Sequence, residues 1–311
     1  MVRPDDNGRP PAPVPRLAGI IGRTETTSGL DRVGAPLGAA LHRLLRPGAV
    51  VDALSGKVLG HPAHPALVSA PIGCWTGALV ADLAGERRAG RVLTGLGVLS
   101  ALPVAATGAA DWADTTGAEQ RVGLVHLSLN LTATVLYGAS WWARRRDQHH
   151  LGVGLGVAGA ALATAAGWLG GHLAYALGVG VDTNAFAGGP TEWTGVDGQS
   201  AGSGPVSSGS AAGVSLVVIR SDPDPASGSE RLPRVVANRC SHRGGPLAEG
   251  ELYGDCLRCP WHGSEFDITT GQVRRGPATM GQPVYQARFH GGALQVRRDE
   301  PRSLRVNPVR P

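Results

Sequence analysis

Two short segments hold the residues best suited to chemistry: Cys240-Ser-His242-Arg-Gly-Gly-Pro-Leu and Cys259-Pro-Trp-His262-Gly. Each offers one thiol and one imidazole, spaced C-x-H and C-x-x-H. Such a set suits a metal. A single tetrahedral zinc takes a Cys₂His₂ shell, and a pair of irons can be held by sulfurs on one side and nitrogens on the other. The surrounding Gly and Pro residues let backbone amides come close to the bound group. Cys256, three positions before Cys259, would add a ligand to a complete set and is read as packing beside the loop. The chain has 4 cysteines in all, with Cys74 alone in an apolar run, which is too few for a disulfide framework.

The loop residues resemble the Rieske family, and the likeness continues through Gly263-Ser-Glu-Phe-Asp, Thr270-Gly and Gly276-Pro-Ala, over roughly Trp193 to Arg298. The resemblance implies a [2Fe–2S] cluster with Cys240, His242, Cys259 and His262 as ligands, in a small antiparallel all-β domain. The β-branched runs Val214–Ile219, Leu232–Ala237 and Gln282–Val296 suit such strands. Respiratory-type members carry a second cysteine in each ligand loop, and this sequence has none at Arg243-Gly244-Gly245 or Trp261. Phe266 stands where high-potential members have a Tyr, while Ser264 is retained. Both departures imply a potential in the lower part of the Rieske range, as in ferredoxins of ring-hydroxylating and nitrite-reducing systems.

Elements that must position this site come in two chemistries. Residues 66–178 are rich in Ala, Leu, Val and Gly, and the flanks hold most of the charge, Pro and Ser. Three uncharged stretches, Val92–Ala110, Val122–Ala143 and Leu151–Gly178, reach the roughly 20 residues a bilayer span needs. A fourth, Ala66–Ala84, is shorter, and its Asp82 is expected to reach the interface. Polarity lies at the ends of these segments, without the polar stripe of a soluble bundle. Small residues four apart in the last segment, Gly152, Gly156, Ala160 and again Ala163, Gly167, Gly171, predict close helix packing.

The expected architecture is therefore a four-span α-helical transmembrane bundle followed by the all-β domain. Its parts are a tail over residues 1–60, Pro-rich from Arg3 to Pro15 with a surface helix over Pro36–Arg46; a membrane domain over 61–182; a Gly/Ser-rich linker and start of the next domain over 183–210; and the iron–sulfur domain over 211–311. No cleavable leader is read at the start. The net charge of +5 is spread over flanks and loops, without the aromatic interleaving of a nucleic-acid surface.

The segment Gly60-His-Pro-Ala-His-Pro, with Asp111-Trp112, resembles a four-helix membrane family, domain of unknown function 2231, over about residues 35–185. That resemblance implies no activity. Alternating spans bring His61 and His64, Asp111, His126 and His172 to one membrane face, the face from which the C-terminal domain emerges. His64, Asp111, His126 and His172 are thus candidates for a b-type haem or quinone site, with the alternative that they bond backbone or Asn130 and tie the bundle together. His61 and His64, each before Pro, are read as a rigid turn. Loop arginines 87, 88, 91 and 144–146 place the opposite face in the cytoplasm, and the basic N-terminal tail argues the reverse, so the side of the cluster domain stays open.

These observations favour a cell-membrane, multi-pass one-electron carrier serving a redox partner protein or quinone, a component of an oxidoreductase system more than a stand-alone enzyme. The alternatives are a quinol-oxidising or haem-containing module and a non-catalytic redox sensor. An oxygenase would need a second soluble domain holding mononuclear iron, and none is read in this sequence, so that reading is set below the others.

Overall fold

The computed structural model describes residues 16–198, 205–220 and 231–298, so the Pro-rich segment up to Pro15 lies outside the described residues. The chain divides into two compact units. The first comprises the segments 16–44, 70–102 and 112–179 of the described chain, and the second 45–69, 103–111 and everything from Gly180 on.

The first unit is helical: α1 (Arg16–Thr26), α2 (Asp31–Leu44), α5 (Ser69–Leu83), most of α6 (Arg87–Ala113), α7 (Gly117–Arg145) and α8 (His149–Tyr175). With α3 (Ala49–Ser55) and α4 (Ala63–Leu67) in the second unit, the series is complete among the described residues. Four stretches, Ala63–Leu83, α6, α7 and α8, are long and apolar enough to cross a membrane. Three of them extend beyond the uncharged cores read from sequence, because charged and polar residues continue the helices at their ends; α8 stops at Tyr175, before Gly178. The surface helix expected at Pro36–Arg46 is the second half of α2, which starts earlier and places Gly34 and Gly38 against the Gln120 side chain.

The α7–α8 packing differs in an instructive way from the expected four-residue spacing. Gly152, Gly156, Gly159, Ala166 and Gly170 make the seam, with Gly159 against the Tyr137 ring and Gly170 against His126, whereas Gly167 faces open space. These residues advance by about 3.6 per turn, which keeps one face on α7, while steps of four alone drift off it.

Asp82 does not reach out of the bundle. Its two oxygens take a forked pair from Arg144, both at 2.6 Å, and the two side chains are 5% and 4% exposed. Arg144 also donates to Ser140 Oγ at 3.2 Å. It is consequently a helix-end charge spent inside the bundle, not a loop charge, and it drops out of the positive-loop comparison. Asp31 and Arg121 form a second fork, at 2.6 and 2.7 Å, that ties the start of α2 to α7.

The second unit holds two antiparallel sheets. Strands β1 (Thr194–Gly195), β2 (Val206–Ala211), β3 (Val214–Ile219), β4 (Arg234–Ala237), β9 (Val284–His290) and β10 (Ala293–Arg298) form one, in the order β1-β10-β9-β4-β3-β2. The other is β5 (Glu251–Tyr253), β6 (Cys256–Arg258), β7 (Glu265–Asp267) and β8 (Val273–Arg275). Two strands, β1 and β2, come from the stretch read as linker and domain start: Thr194 pairs with Val296 and Val206 with Ile219. Gly291 and Gly292, at φ 58° and 79°, make the two-residue turn between β9 and β10, a conformation that favours glycine.

Alternation along β3 and β4 divides the interior. Val217, Ile219 and Val236 join the core that encloses Cys240, Cys259 and Phe266, and Leu216, Val218, Val235 and Ala237 form the opposite core with Tyr285 and Val296. The larger sheet is thus buried on both faces here, and one of them is the floor of the Cys240 and Cys259 loops. Residues 45–60, read as tail, fold within this unit.

Candidate metal centre

Two loops of matching construction carry the four candidate ligands. In the first, Gly244 N donates to Cys240 O at 2.8 Å and Cys240 N to Gly245 O at 2.9 Å; in the second, Gly263 N donates to Cys259 O at 3.1 Å and Cys259 N to Ser264 O at 2.8 Å. The closing bonds fall at the same offsets from each cysteine. Gly244 and Gly263, both left-handed at φ 77° and 73°, turn the chain back at equivalent positions. The imidazole sits two residues after the thiol in one loop and three after in the other, so the loops are alike in backbone and unlike in presentation.

The loops bring their side chains together. Cys240 and Cys259 are 1% and 3% exposed, with their thiols in hydrogen-bonding contact, and the His242 and His262 rings lie 5.1 Å apart and nearly perpendicular. The hydrogen bond between the thiols pushes the Cys240 pKa up, helped by burial, and pulls that of Cys259 down. Backbone amides are aimed at both sulfurs, from His242 and Arg243 at Cys240 and from Trp261 and His262 at Cys259. They would favour a charged sulfur in a site with little water.

This donor set fits a [2Fe–2S] group: two buried thiols for one iron, two half-buried imidazoles for the other, and amide donors around the sulfurs. The close approach at Gly245 supports the fit. A Cβ there would lie 2.9 Å from Cys259 Sγ and 3.0 Å from the Trp261 ring. Gly245→Ala is expected to lower cluster content severalfold, read as iron and acid-labile sulfide per chain, whereas Gly195→Ala, in a strand with nothing near its Cβ position, leaves it intact.

Phe266 is 1% exposed within the core that encloses both cysteines, and its ring supplies no hydroxyl. Ser264 is fully buried, and its Oγ accepts from Ala278 N at 3.0 Å. Cys256 stands on β6 opposite Tyr253 and Asp267.

Support for the first loop comes from residues that sequence reading assigned to the linker. Thr183 Oγ1 donates to Cys240 O at 2.7 Å, and the buried Asn184 donates from Nδ2 to Arg239 O at 2.7 Å. Ser241 Oγ donates to Met280 O at 2.6 Å. No local pattern marks Thr183 and Asn184, since their partners lie more than 50 positions away.

Below the second loop, Asp267 accepts from Arg274, Thr270 N and Thr269 N, and these donors hold its carboxyl well below the ordinary value of 3.8. A depressed folded-state pKa gives stability that is complete above the unfolded value and lost as pH falls below it. Asp267→Asn should therefore lower the melting temperature at pH 7, with the deficit shrinking as pH drops below 3.8.

The histidines of the helical segments are otherwise engaged. His126 Nδ1 meets Ala166 O at 2.8 Å and its Nε2 lies 3.1 Å from Asn130 Nδ2, so both ring nitrogens have a polar partner. Binding iron through either nitrogen would break one of these bonds. His172 Nε2 is 2.6 Å from Glu25 Oε1, and His64 Nδ1 is 3.1 Å from Val104 O. Asp111 lies in the last turn of α6. His64 and Asp111 belong to one unit, His126 and His172 to the other. His61 is exposed beside Pro62, after which α4 begins.

Comparison with known proteins agrees with this geometry. Residues 197–286, which contain all four candidate ligands, match the Rieske [2Fe-2S] domain family, and residues 60–183 match the family described as predicted membrane protein (DUF2231). The chain thus joins a segment matching the DUF2231 family to a segment matching the Rieske [2Fe-2S] domain family. Ferredoxin CarAc of Metapseudomonas resinovorans is 35% identical over 62 residues, 20% of this chain and 58% of that protein. Apoptosis-inducing factor 3 of Homo sapiens is 34% identical over 63 residues, 20% of this chain and 10% of that protein. The chain thus spans a tenth of one of these relatives and little more than half of the other. Among solved structures, a complex of reduced oxygenase and oxidized ferredoxin in carbazole 1,9a-dioxygenase aligns with a TM-score of 0.29 and 23% identity, covering 36% of this chain and 99% of that one. The Rieske domain implies a [2Fe–2S] cluster, and its ferredoxin relatives support electron carriage.

Proposed function

We propose that this Rieske protein is a membrane-tethered one-electron carrier in which Cys240, His242, Cys259 and His262 hold the cluster. The observation that carries this reading is the asymmetry of the site: both thiols are buried in the strand core, while both imidazoles are only half-buried. When bound, the cluster takes up and releases single electrons, and the imidazole side is the short way out. The loops keep the sulfur side dry, aim amides at the sulfurs and fix the ring orientations. The tether is the set of four apolar helices. The partner is a redox protein, by analogy with the relative named as a ferredoxin.

The potential of the cluster is expected in the lower part of the roughly −150 to +300 mV Rieske span, because Phe266 offers no hydroxyl to a ligand sulfur. Protein-film voltammetry of the purified chain measures it. A midpoint well above about +200 mV would contradict this tuning. Phe266→Tyr should raise the midpoint, because it adds a hydroxyl inside the core that encloses both cysteines.

A further inference from the structure

The stretch from Leu45 to Gly60 precedes the first long apolar stretch, Ala63–Leu83, yet it folds in the same compact unit as the cluster loops. It lies outside the Rieske match at 197–286 and is therefore an addition to that domain. Gly56, at φ 89°, packs closely against His61 O and Ala63 N and turns the chain from α3 back toward α4.

Two contacts join this strap to the loops. Asp52 Oδ1 accepts from Gly276 N at 2.7 Å, across 224 positions of sequence. Ser55, 4% exposed, lies at the same point: a Cβ on Gly276 would sit 3.1 Å from both Asp52 Oδ1 and Ser55 Oγ. Lys57 Nζ donates to the other Asp52 oxygen at 3.3 Å and steadies the carboxylate. Pro47 Cγ comes within 3.1 Å of a Cβ position on Gly263, the residue after His262.

From Gly276 a short path leads to the metal centre. Ala278, two residues on, donates its N–H to Ser264 Oγ at 3.0 Å, and Ser264 O accepts from Cys259 N at 2.8 Å. We propose that Asp52 is a positioning residue for the cluster: from outside the Rieske domain, it holds the Gly276–Ala278 segment against the second ligand loop and so sets the redox behaviour of the bound group. This rests on the cluster assignment above. The geometry has a chemical rationale, since a carboxylate bond to a backbone amide is among the stronger neutral-to-charged contacts, and Gly276 N has no strand partner there.

The test compares Asp52→Ala with Asp52→Asn in the purified full chain. Both remove the charge, and only Asn keeps an oxygen that can accept from Gly276. Hydrogen exchange at the Gly276 amide should be about tenfold faster in Asp52→Ala, the loss of one charge-assisted bond, and closer to the wild type in Asp52→Asn. The midpoint potentials of the two variants should differ from each other, which charge alone cannot produce. Should the alanine variant not fold, Asp52→Ser, equally neutral and too short to reach, takes its place. Equal exchange and equal midpoints in the charge-matched pair would overturn the proposal. A wild-type chain that holds no cluster would instead overturn the cluster reading, so the two failures are distinct.

Discussion

Cys259→Ser is expected to leave the purified protein without iron or acid-labile sulfide, and Cys256→Ser to retain the full complement. The contrast is large because the two residues, three apart, do different things. Cys259 is 3% exposed, receives amides from Trp261 and His262 and faces Cys240. Cys256 is a strand residue opposite Tyr253 and Asp267, and burial pushes its thiol pKa up. A serine oxygen is a harder and poorer ligand for an iron–sulfur core than thiolate. Metal content and the visible spectrum of the two variants decide the matter, and equal loss in both would reassign the ligand set.

Asp82→Ala should destabilise the helical unit by about 3–5 kcal/mol, the usual cost of leaving a buried ion unpaired. Arg144 is 4% exposed at its side chain, and its remaining partner, Ser140 Oγ, is a neutral acceptor at 3.2 Å. Removing both charges, as in Asp82→Ala with Arg144→Met, should recover most of the loss, because it is the lone guanidinium that is costly. Thermal unfolding in detergent, followed by helical circular dichroism, gives the comparison. A single variant within about 0.5 kcal/mol of wild type would mean that water reaches the pair and screens it.

Much of the site was legible because its determinants are local. The ligand loops show themselves through Cys, His and Gly at fixed spacing, and β3 and β4 through β-branched runs. The four long helices follow from apolar length alone. What escaped was set at long range. Asp82 looked like an interfacial carboxylate until Arg144, 62 positions away, took both its oxygens. In α8 the four-residue spacing holds for Gly152 and Gly156 and fails at Gly167, because several small-residue spacings coexist in a Gly- and Ala-rich helix and only the partner selects among them. Thr183, Asn184 and Asp52 carry no signature, since each acts on a backbone group of a distant loop.

The histidines of the apolar segments follow the same rule. Their rarity there suggests a cofactor, and each has a polar partner in the protein, set mostly at long range: a distant carbonyl and a nearby amide for His126, a distant carboxylate for His172, a distant carbonyl for His64. Buried imidazole needs such partners whether or not it binds anything.

The central claim is one redox-active [2Fe–2S] cluster held by two Cys and two His. Electron paramagnetic resonance of the dithionite-reduced full chain, with nitrogen couplings resolved by pulsed methods, tests it most directly. The expected result is one Rieske-type signal carrying couplings from two histidine nitrogens, which disappears in His262→Ala. A reduced spectrum with no signal, in protein that contains zinc in place of iron, would contradict the account.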